Sequence, residues 1–181
     1  NDNKNKMRYN IDGIIFTPNG NIKSMLGRNG LKNRKWKPSK DNTIDFLVKV
    51  IKNRNRDIIF QNDNQIYKKL RLYTYYTDRN QRNNTQFLTN IMFGKELIMK
   101  VEVTNEKILS KNGDEINDGD IVECIFDQNE STWHPLRVRS DKQIPNSLYV
   151  AKITHDLTLN PISENIITEY SATLLSYYHY T

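Results

Sequence analysis

The sequence predicts a mainly β protein with minor α content, in which a short sheet is followed by a small barrel and a C-terminal helix. Two observations predict this order. Short runs with alternating apolar residues recur between residues 43 and 126 and are separated by polar turns such as Asp118-Gly119. After Ser163, by contrast, the apolar residues follow the three- and four-residue spacing of a helix, at Ile166, Ile167, Tyr170 and Leu174.

The first two predicted strands lie on either side of a glycine-containing loop. The first is the run Asp12-Gly13-Ile14-Ile15-Phe16, and the second is centred on Lys35-Trp36-Lys37-Pro38. On an extended chain Lys35 and Lys37 point to one side and Trp36 to the other, so two ammonium groups about 7 Å apart face the same way. That spacing suits a phosphate chain, whereas lysine-rich stretches are in general most often solvated surface.

Asp12 is a candidate metal ligand. Its carboxylate stands at the mouth of a short apolar strand, and the hard cations that accompany triphosphates prefer oxygen ligands. Taken alone, an Asp-Gly pair is a common turn, and the sequence favours that simpler interpretation.

Residues 43–51 form the third predicted strand, with one apolar face made of Ile44, Phe46, Val48 and Val50. We expect this strand to join the first two in a sheet that is too small to bury a core of its own. The polar run 52–57 then marks a hinge or domain boundary. The predicted division is therefore a first domain at residues 1–54, a barrel at residues 55–150 and a C-terminal helical linker at residues 151–181.

Beyond this boundary the predicted strands are short. Strand character is found at residues 58–60, 66–75, 87–103 and 121–126, which suggests a barrel of OB-fold size. The second of these strands is rich in tyrosine, with Tyr67, Tyr73, Tyr75 and Tyr76. Such rings offer stacking faces for nucleic-acid bases, but half-buried structural aromatics are the more common use of these residues in sheets.

A second cationic segment follows Trp133. Arg137 and Arg139 alternate onto one face of an extended chain, and Asp141 and Lys142 follow at once. Guanidinium forks bind phosphate oxygens in pairs, and a neighbouring carboxylate can lock the fork. A surface ion-pair cluster is the alternative interpretation. A short helix is predicted just after this segment, over residues 147–153.

The charge is uneven along the 181 residues. Residues 1–56 hold fourteen Lys or Arg against four Asp or Glu, whereas the remainder carries an excess of acidic residues and the net charge of the chain is +6. A basic N-terminal third suggests a partner that carries phosphate, either a nucleotide or a nucleic acid.

Cysteine usage and hydropathy exclude several classes of protein. Cys124 is the only cysteine, so no disulfide framework is possible within the chain, and the three histidines are too scattered for a zinc site. No apolar run approaches membrane-spanning length, and no signal peptide is visible. We therefore expect a protein without a membrane partner in a reducing compartment, the cytoplasm or the nucleus.

Three segments in this order resemble the last three motifs of the covalent nucleotidyltransferases. They are Asp12-Gly13-Ile14-Ile15-Phe16, then Lys35-Trp36-Lys37-Pro38 with Thr43-Ile44-Asp45-Phe46-Leu47, then Arg137-Val138-Arg139-Ser140-Asp141-Lys142. The last two look like those of mRNA capping enzymes, the GTP:RNA guanylyltransferases, above all those of large DNA viruses. The resemblance covers residues 12–146 and implies that residues 1–54 are the end of a nucleotidyltransferase sheet.

The resemblance also implies a reaction and roles for single residues. In that family a lysine attacks the α-phosphate of GTP, and the bound GMP then passes to the diphosphate 5′ end of RNA. By analogy Asp12 lies near a divalent cation, Mg²⁺ or Mn²⁺, and Lys35 and Lys37 hold the α-phosphate. The β- and γ-phosphates are clamped on hinge closure by residues of the barrel, namely Arg139, Asp141 and Lys142, with help from Arg137.

One part of the family pattern is missing. The nucleophile of these enzymes lies in a Lys-x-Asp-Gly motif, but the two Asp-Gly pairs here are preceded two positions earlier by Asn10 and Ile116. We therefore expect this chain to be the C-terminal portion of a longer polypeptide and to form no covalent adduct by itself. The longer polypeptide would supply the upstream half and, in some members, triphosphatase or methyltransferase domains. For a viral protein the expected location extends to the host cytoplasm, a viral factory or the virion.

Two alternatives remain open. The same superfamily includes ATP-dependent DNA and RNA ligases, from which nucleotide choice separates the capping enzymes. The other alternative is a non-catalytic OB-type module that binds RNA through the tyrosine-rich strand.

Overall fold

The computed structural model describes residues 13–16, 34–54, 56–62, 65–77 and 86–163. Within those ranges the chain is mainly β with one α-helix near the C-terminus. The strands are β1 (Ile14–Phe16), β2 (Arg34–Trp36), β3 (Thr43–Val50), β4 (Lys52–Asn53), β5 (Arg56–Asp57), β6 (Ile59–Asn62), β7 (Gln65–Thr77), β8 (Gln86–Thr89), β9 (Ile91–Met92), β10 (Lys95–Glu96), β11 (Ile98–Thr104), β12 (Lys107–Ile108), β13 (Ile121–Asp127) and β14 (Thr132–Val138). The helices are a 3-10 turn, η1 (Ser39–Asp41), and α1 (Leu148–Leu159).

The long strands form one antiparallel sheet in the order β12-β11-β7-β3-β13-β14, and β6 and β8 pair along β7. The sheet curls until β11 approaches β14, which lies on its other side. An irregularity between Glu123 and Cys124 in β13 adds to the bending. The resulting curled half-barrel is consistent with the OB-fold predicted from the strand spacing.

The sheet corrects the expected place of the third strand. β1 and β2 form a two-stranded sheet of their own, with Ile14 opposite Trp36, whereas β3 is hydrogen-bonded to β7 on one edge and to β13 on the other. The expectation that residues 43–51 complete a sheet with the first two strands is therefore wrong. Alternation along a strand reports that one face is buried, but not which strands lie beside it. The division of the chain at residue 54 stays a prediction.

The strand predicted over residues 87–103 is interrupted in the structure. It is divided into β8, β9, β10 and β11, with a tight turn between β9 and β10. Phe93 and Gly94 form this turn at φ values of 51° and 75°. Two consecutive positive φ values are typical of the two-residue turns that match the twist of a β-hairpin, and glycine adopts them without steric cost.

Alternation along the strands places one apolar face inside the curled sheet. The buried residues there include Ile44, Phe46, Val48, Leu70, Leu72, Met99, Val122 and Cys124. Trp133 meets Phe46 edge to face, with ring centroids 5.0 Å apart. Burial raises the pKa of the Cys124 thiol, so this residue packs as a small apolar side chain, as the sequence predicts.

Helix α1 packs against β3, β7 and η1. Ser147 caps its first turn, because the side-chain oxygen accepts a hydrogen bond from the Val150 N–H at 3.2 Å. The helix predicted over residues 147–153 is thus confirmed and continues to Leu159, whereas the helical pattern after Ser163 falls outside the described residues. Within the described ranges, no helix combines the length and the apolar character needed to span a bilayer.

The β1–β2 hairpin is tied to the segment that follows α1. The indole Nε1 of Trp36 donates a hydrogen bond to the Ile162 carbonyl at 3.0 Å. Gly13 precedes β1 with a φ of 124°, and a Cβ at this position would lie 2.1 Å from the Trp36 carbonyl oxygen. The close approach of these two backbones therefore requires glycine at position 13.

Candidate functional site

A carboxylate on β3 lies at the centre of a network of charged side chains on the outer face of the sheet. Strand alternation points Asp45 away from the core that Ile44 and Phe46 enter. Only 7% of the Asp45 side chain is nevertheless exposed, because the segment after β14 crosses over it. Asn146 holds this segment in place: its N–H donates to the Asp45 carbonyl, and its Oδ1 accepts from the Asp45 N–H, both at 2.8 Å.

Two cations meet at this buried carboxylate. The Nη1 of Arg139 donates to both oxygens of Asp45 at 3.2 Å, and the Nζ of Lys142 donates to Oδ2. A carboxylate buried without such partners is strongly unfavourable. The two cations therefore make the burial of Asp45 tolerable, and Asp45 in turn fixes where the two cations stand.

The other edge of the Arg139 guanidinium is held by Asp141. Nε donates to Oδ1 and Nη2 to Oδ2, each at 2.8 Å, which is the two-pronged geometry that a phosphate also accepts. The hydrogen bonds from Arg139 lower the pKa of Asp141 to about 2, and the same contact raises the pKa of Arg139. Asp141 itself is largely exposed to solvent.

Glu123 on β13 completes the network beside Asp45. It accepts hydrogen bonds from Thr43 Oγ1 at 2.6 Å and from Arg137 Nε at 2.5 Å, and it lies 3.8 Å from Arg139 Nη1. Partial burial alone would raise the pKa of Glu123, but these donors lower it below its usual value. The carboxylate therefore stays charged and orients Arg137.

In this conformation the network is electrically balanced. Three cations lie at the end of β14 and in the segment that follows it: Arg137, Arg139 and Lys142. They pair with three carboxylates, those of Asp45, Glu123 and Asp141. Of these carboxylates, Asp141 returns to water most easily, because the other two are mostly buried.

The structure thus brings together four of the seven site residues predicted from the sequence: Arg137, Arg139, Asp141 and Lys142. Lys35 lies in β2 of the separate two-stranded sheet and is exposed, and Lys37 directly follows β2 and is half-buried. Asp12 lies outside the described residues, so its role as a metal ligand stays a prediction.

Sequence reasoning missed three residues of the network: Asp45, Glu123 and Asn146. Asp45 carries a detectable signal, because a carboxylate between Ile44 and Phe46 on an otherwise apolar strand needs a cation if it is buried. Glu123 and Asn146 carry no such signal, since the β3 residues that they contact, Thr43 and Asp45, are 80 and 101 residues away in the chain.

Within the described ranges, no group of three or more His, Cys, Asp or Glu side chains is arranged to hold a metal ion. The predicted ligand, Asp12, lies outside those ranges. The divalent cation that the family resemblance implies therefore stays a prediction.

A separate cavity of ≈ 760 Å³ opens beside the turn between β13 and β14. Its walls include Lys40, Lys111 and His134, together with the apolar side chains of Leu109 and Phe126. The predicted site residues do not line this cavity, so it is not the phosphate site that the sequence predicts.

The fold and the network define an OB-type barrel domain whose Arg- and Lys-bearing segment is folded over one face of the sheet. A family model described as mRNA capping enzyme, C-terminal domain, matches residues 41–168. The chain belongs to this family, as the motif resemblance predicts. The match begins just before β3, in agreement with the place of β3 inside the large sheet.

Curated relatives carry the same description. A protein of Acanthamoeba polyphaga mimivirus named probable mRNA-capping enzyme is 30% identical in an alignment of 190 positions that covers 88% of this chain and 16% of the relative. An mRNA-capping enzyme of Caenorhabditis elegans is 29% identical, over 90% of this chain and 22% of the relative. The mRNA-capping enzyme subunit alpha of Candida glabrata is 26% identical, over 89% of this chain and 41% of the relative. The chain therefore spans between 16% and 41% of the length of these relatives.

Proposed function

We propose that this chain is the C-terminal part of an mRNA guanylyltransferase, which transfers GMP from GTP through a lysyl-GMP intermediate to the diphosphate 5′ end of RNA. Membership of the capping-enzyme family and the names of the relatives support this proposal. The observation that carries it is the network at Asp45, in which Arg139 and Lys142 are held side by side on one buried carboxylate. The nucleophile motif is absent from this sequence, so it must lie upstream in the longer protein.

The barrel contributes positive charge to the departing pyrophosphate in this proposal. Transfer of a nucleotidyl group is accelerated mainly by positioning and by neutralising charge that develops on phosphate oxygens. The guanidinium of Arg139 releases Asp141 and binds two phosphate oxygens instead, while its Nη1 stays hydrogen-bonded to Asp45. Lys142 adds a second cation, Arg137 assists from the edge, and Lys35 and Lys37 hold the α-phosphate from the β1–β2 hairpin. Asp12 is the proposed ligand of Mg²⁺ or Mn²⁺.

The proposed reaction also implies substrates, neighbouring domains and a cellular location. The substrates are GTP and RNA with a 5′ diphosphate, and the upstream half of the same polypeptide supplies the guanine pocket. Triphosphatase or methyltransferase domains are further proposed neighbours in the longer protein. We propose that the protein acts in the cytoplasm or the nucleus, or in a viral factory or virion if the source is a virus.

Nucleotide labelling of the full-length protein tests the proposed reaction. Incubation with GTP labelled in the α-phosphate is expected to give a labelled protein adduct that passes to diphosphate RNA, and ATP labelled in the same way is expected to give none. Labelling by ATP alone would instead support the ligase alternative. If neither nucleotide gives an adduct, both enzymatic proposals are contradicted. The alternative that then remains is a non-catalytic module that binds RNA.

Lys37→Ala in the full-length protein tests the role given to the hairpin. Loss of a cation at the α-phosphate is expected to reduce adduct formation on the order of 100-fold or more, by analogy with the removal of one group that stabilises developing charge. Lys52→Ala is the control, because it also removes one lysine, at a position outside the predicted site where Nζ lies 3.9 Å from Asp118. Normal labelling of the Lys37→Ala protein would remove Lys37 from the site.

A further inference from the structure

The tyrosine-rich strand β7 turns its aromatic side chains to the outside of the barrel. Leu70, Leu72 and Thr74 are fully buried, so the alternate residues Tyr67 and Tyr73 lie on the outer face, where both are half-buried. These rings are therefore not part of the core. Their position calls for an explanation other than packing.

Lysines from neighbouring strands stand over three aromatic rings on this outer face. Lys100 Nζ of β11 lies 3.7 Å from the centroid of the Tyr67 ring. Lys69 of β7 lies 4.4 Å from the Phe60 ring of β6, and Lys49 of β3 lies 5.7 Å from the Tyr73 ring. We name these six residues the lysine–aromatic face: Lys49, Phe60, Tyr67, Lys69, Tyr73 and Lys100.

Strand register makes the lysine–aromatic face continuous. Lys100 is opposite Lys69 on the β7–β11 ladder, and Phe60 is opposite Tyr67 on the β6–β7 ladder. Lys49 is opposite Arg71, one step further along the same face of β7. The face therefore extends over β11, β7, β3 and β6, with lysines and aromatic rings interspersed.

The lysines of this face form no close ion pair with a described carboxylate, although Glu102 lies on the same face, opposite Tyr67. Within the described part of the chain, no carboxylate lies within 4.0 Å of Lys49, Lys69 or Lys100, whereas Arg71 between them is paired with Glu96. This distinguishes the lysine–aromatic face from the balanced network at Asp45. A face with free ammonium groups and exposed rings is complementary to a chain of phosphates and bases.

The lysine–aromatic face leads toward the Asp45 network. Lys49 and Asp45 share the outer side of β3 and are four residues apart, which is about 13 Å at the rise of a strand. The second and third long strands of the barrel, β7 and β11, form the part of the OB-fold surface on which oligonucleotides are commonly bound. A ligand on this face would thus have one end near Arg139.

We propose that the lysine–aromatic face binds single-stranded RNA next to its 5′ end. Bases stack on Tyr67, Phe60 and Tyr73, and each lysine moves from its ring to a phosphate of the same strand. The ligand is the acceptor RNA of the proposed guanylyltransferase reaction, so this inference rests on the proposed function. The exchange is feasible because an exposed ammonium–ring contact contributes less to stability than a base stacked on the same ring.

Binding of a 12-nucleotide single-stranded RNA with a 5′ diphosphate to the full-length protein tests this inference. The double variant Lys69→Ser/Lys100→Ser is expected to weaken binding and to lower the slope of log Kd against log salt by about 1.4, since each single-strand phosphate contact contributes about 0.7. Tyr67→Leu is expected to weaken binding roughly 5- to 150-fold, the range for loss of one stacked base, whereas Tyr67→Phe keeps the ring and is expected to bind normally.

The matched control removes a lysine–ring pair elsewhere on the barrel. Lys152 Nζ of α1 stands 5.6 Å from the centroid of the Phe93 ring, which also contacts His155 of the helix. Lys152→Ser/Phe93→Leu therefore changes the same chemistry outside the lysine–aromatic face, and it is expected to leave RNA affinity unchanged. Thermal unfolding of each variant shows that it is folded before its affinity is compared.

The outcomes separate this inference from the proposed function. Formation of the GMP adduct needs no RNA, so the face variants are expected to label normally with GTP. If the wild-type protein forms no adduct but the face variants bind RNA more weakly than wild type, the proposed function is contradicted. RNA binding by this face is then still supported. Wild-type RNA affinity and salt slope in the folded face variants would overturn the inference, as would equal loss in the Lys152→Ser/Phe93→Leu control.

Discussion

At the scale of single residues, Asp45 determines where Arg139 and Lys142 stand. Its carboxylate is nearly inaccessible, it faces away from the core, and it accepts hydrogen bonds from both cations. Two long flexible side chains that might each occupy many rotamers are thereby brought to one point. Such preorganisation lowers the entropic cost of binding a phosphate at the same place.

Asp45→Asn tests this structural role. The substitution leaves two cations around a neutral side chain, and we expect it to lower the free energy of unfolding by about 3 kcal/mol, the lower end of the range for breaking a buried ion pair, because Lys142 keeps some access to water. Urea denaturation of the chain measures this. Glu115→Gln is the control, since it breaks an exposed pair with Lys107 and should change stability little. Equal stability of Asp45→Asn and wild type would contradict the role of Asp45.

His155 gives the fold a pH dependence. Partial burial lowers the pKa of His155, and the nearby charge of Asp156 opposes this only in part. The unfolded chain therefore takes up the proton more readily, and stability falls as the pH drops below about 6.5, with a slope of at most about 1.4 kcal/mol per pH unit. His155→Gln is expected to weaken this dependence between pH 7.5 and pH 5.5, and His134→Gln, on the exposed β13–β14 hairpin, to retain it. Melting temperatures across this range would refute the assignment if His155→Gln behaved like wild type.

At the scale of elements, the strands that alternate strongly could be predicted from the sequence and the pairing between them could not. β3 and β7 follow from apolar residues at alternate positions, and β13 follows from a short, nearly continuous apolar run. The sequence places β3 with the wrong neighbours because its partners, Tyr73 and Ile121, are distant in the chain. The break at Phe93 was missed because apolar residues flank it on both sides and mask the turn.

The same limit applies to the candidate site. Arg137, Arg139, Asp141 and Lys142 are adjacent in the chain, so a sequence motif can represent them together. Asp141, the carboxylate that locks the Arg139 fork, is part of the same motif. The other two carboxylates, Asp45 and Glu123, lie on other strands, and only the fold brings them to these cations. The sequence therefore predicts the cations and one of the three carboxylates that hold them.

The cap of α1 is an element-scale feature that can be tested by itself. Ser147→Ala removes the acceptor for the Val150 N–H and is expected to cost about 1 kcal/mol of stability. Ser147→Asp replaces the acceptor and is expected to restore most of it. Thermal unfolding would refute the capping role if Ser147→Ala and Ser147→Asp melted alike at the wild-type temperature.

At the scale of the whole molecule, the chain corresponds to only a part of each of its relatives. It covers only 16% to 41% of its relatives, and its network of cations is balanced by carboxylates in the conformation described. Both facts agree with a barrel that contributes charge only when the upstream half delivers a nucleotide. We propose that Arg139 exchanges Asp141 for phosphate when the hinge closes. RNA bound on the lysine–aromatic face then accepts the GMP.

The rate of lysyl-GMP formation by full-length Arg139→Ala protein at saturating GTP tests the central claim most directly. Lys107→Ala is the matched control, because it also removes from the barrel one cation that is paired with a carboxylate, at 2.6 Å from Glu115. The account predicts a loss on the order of 100-fold or more for Arg139→Ala, the scale for one group that stabilises developing charge, and a wild-type rate for the control. A wild-type rate in folded Arg139→Ala protein would contradict it.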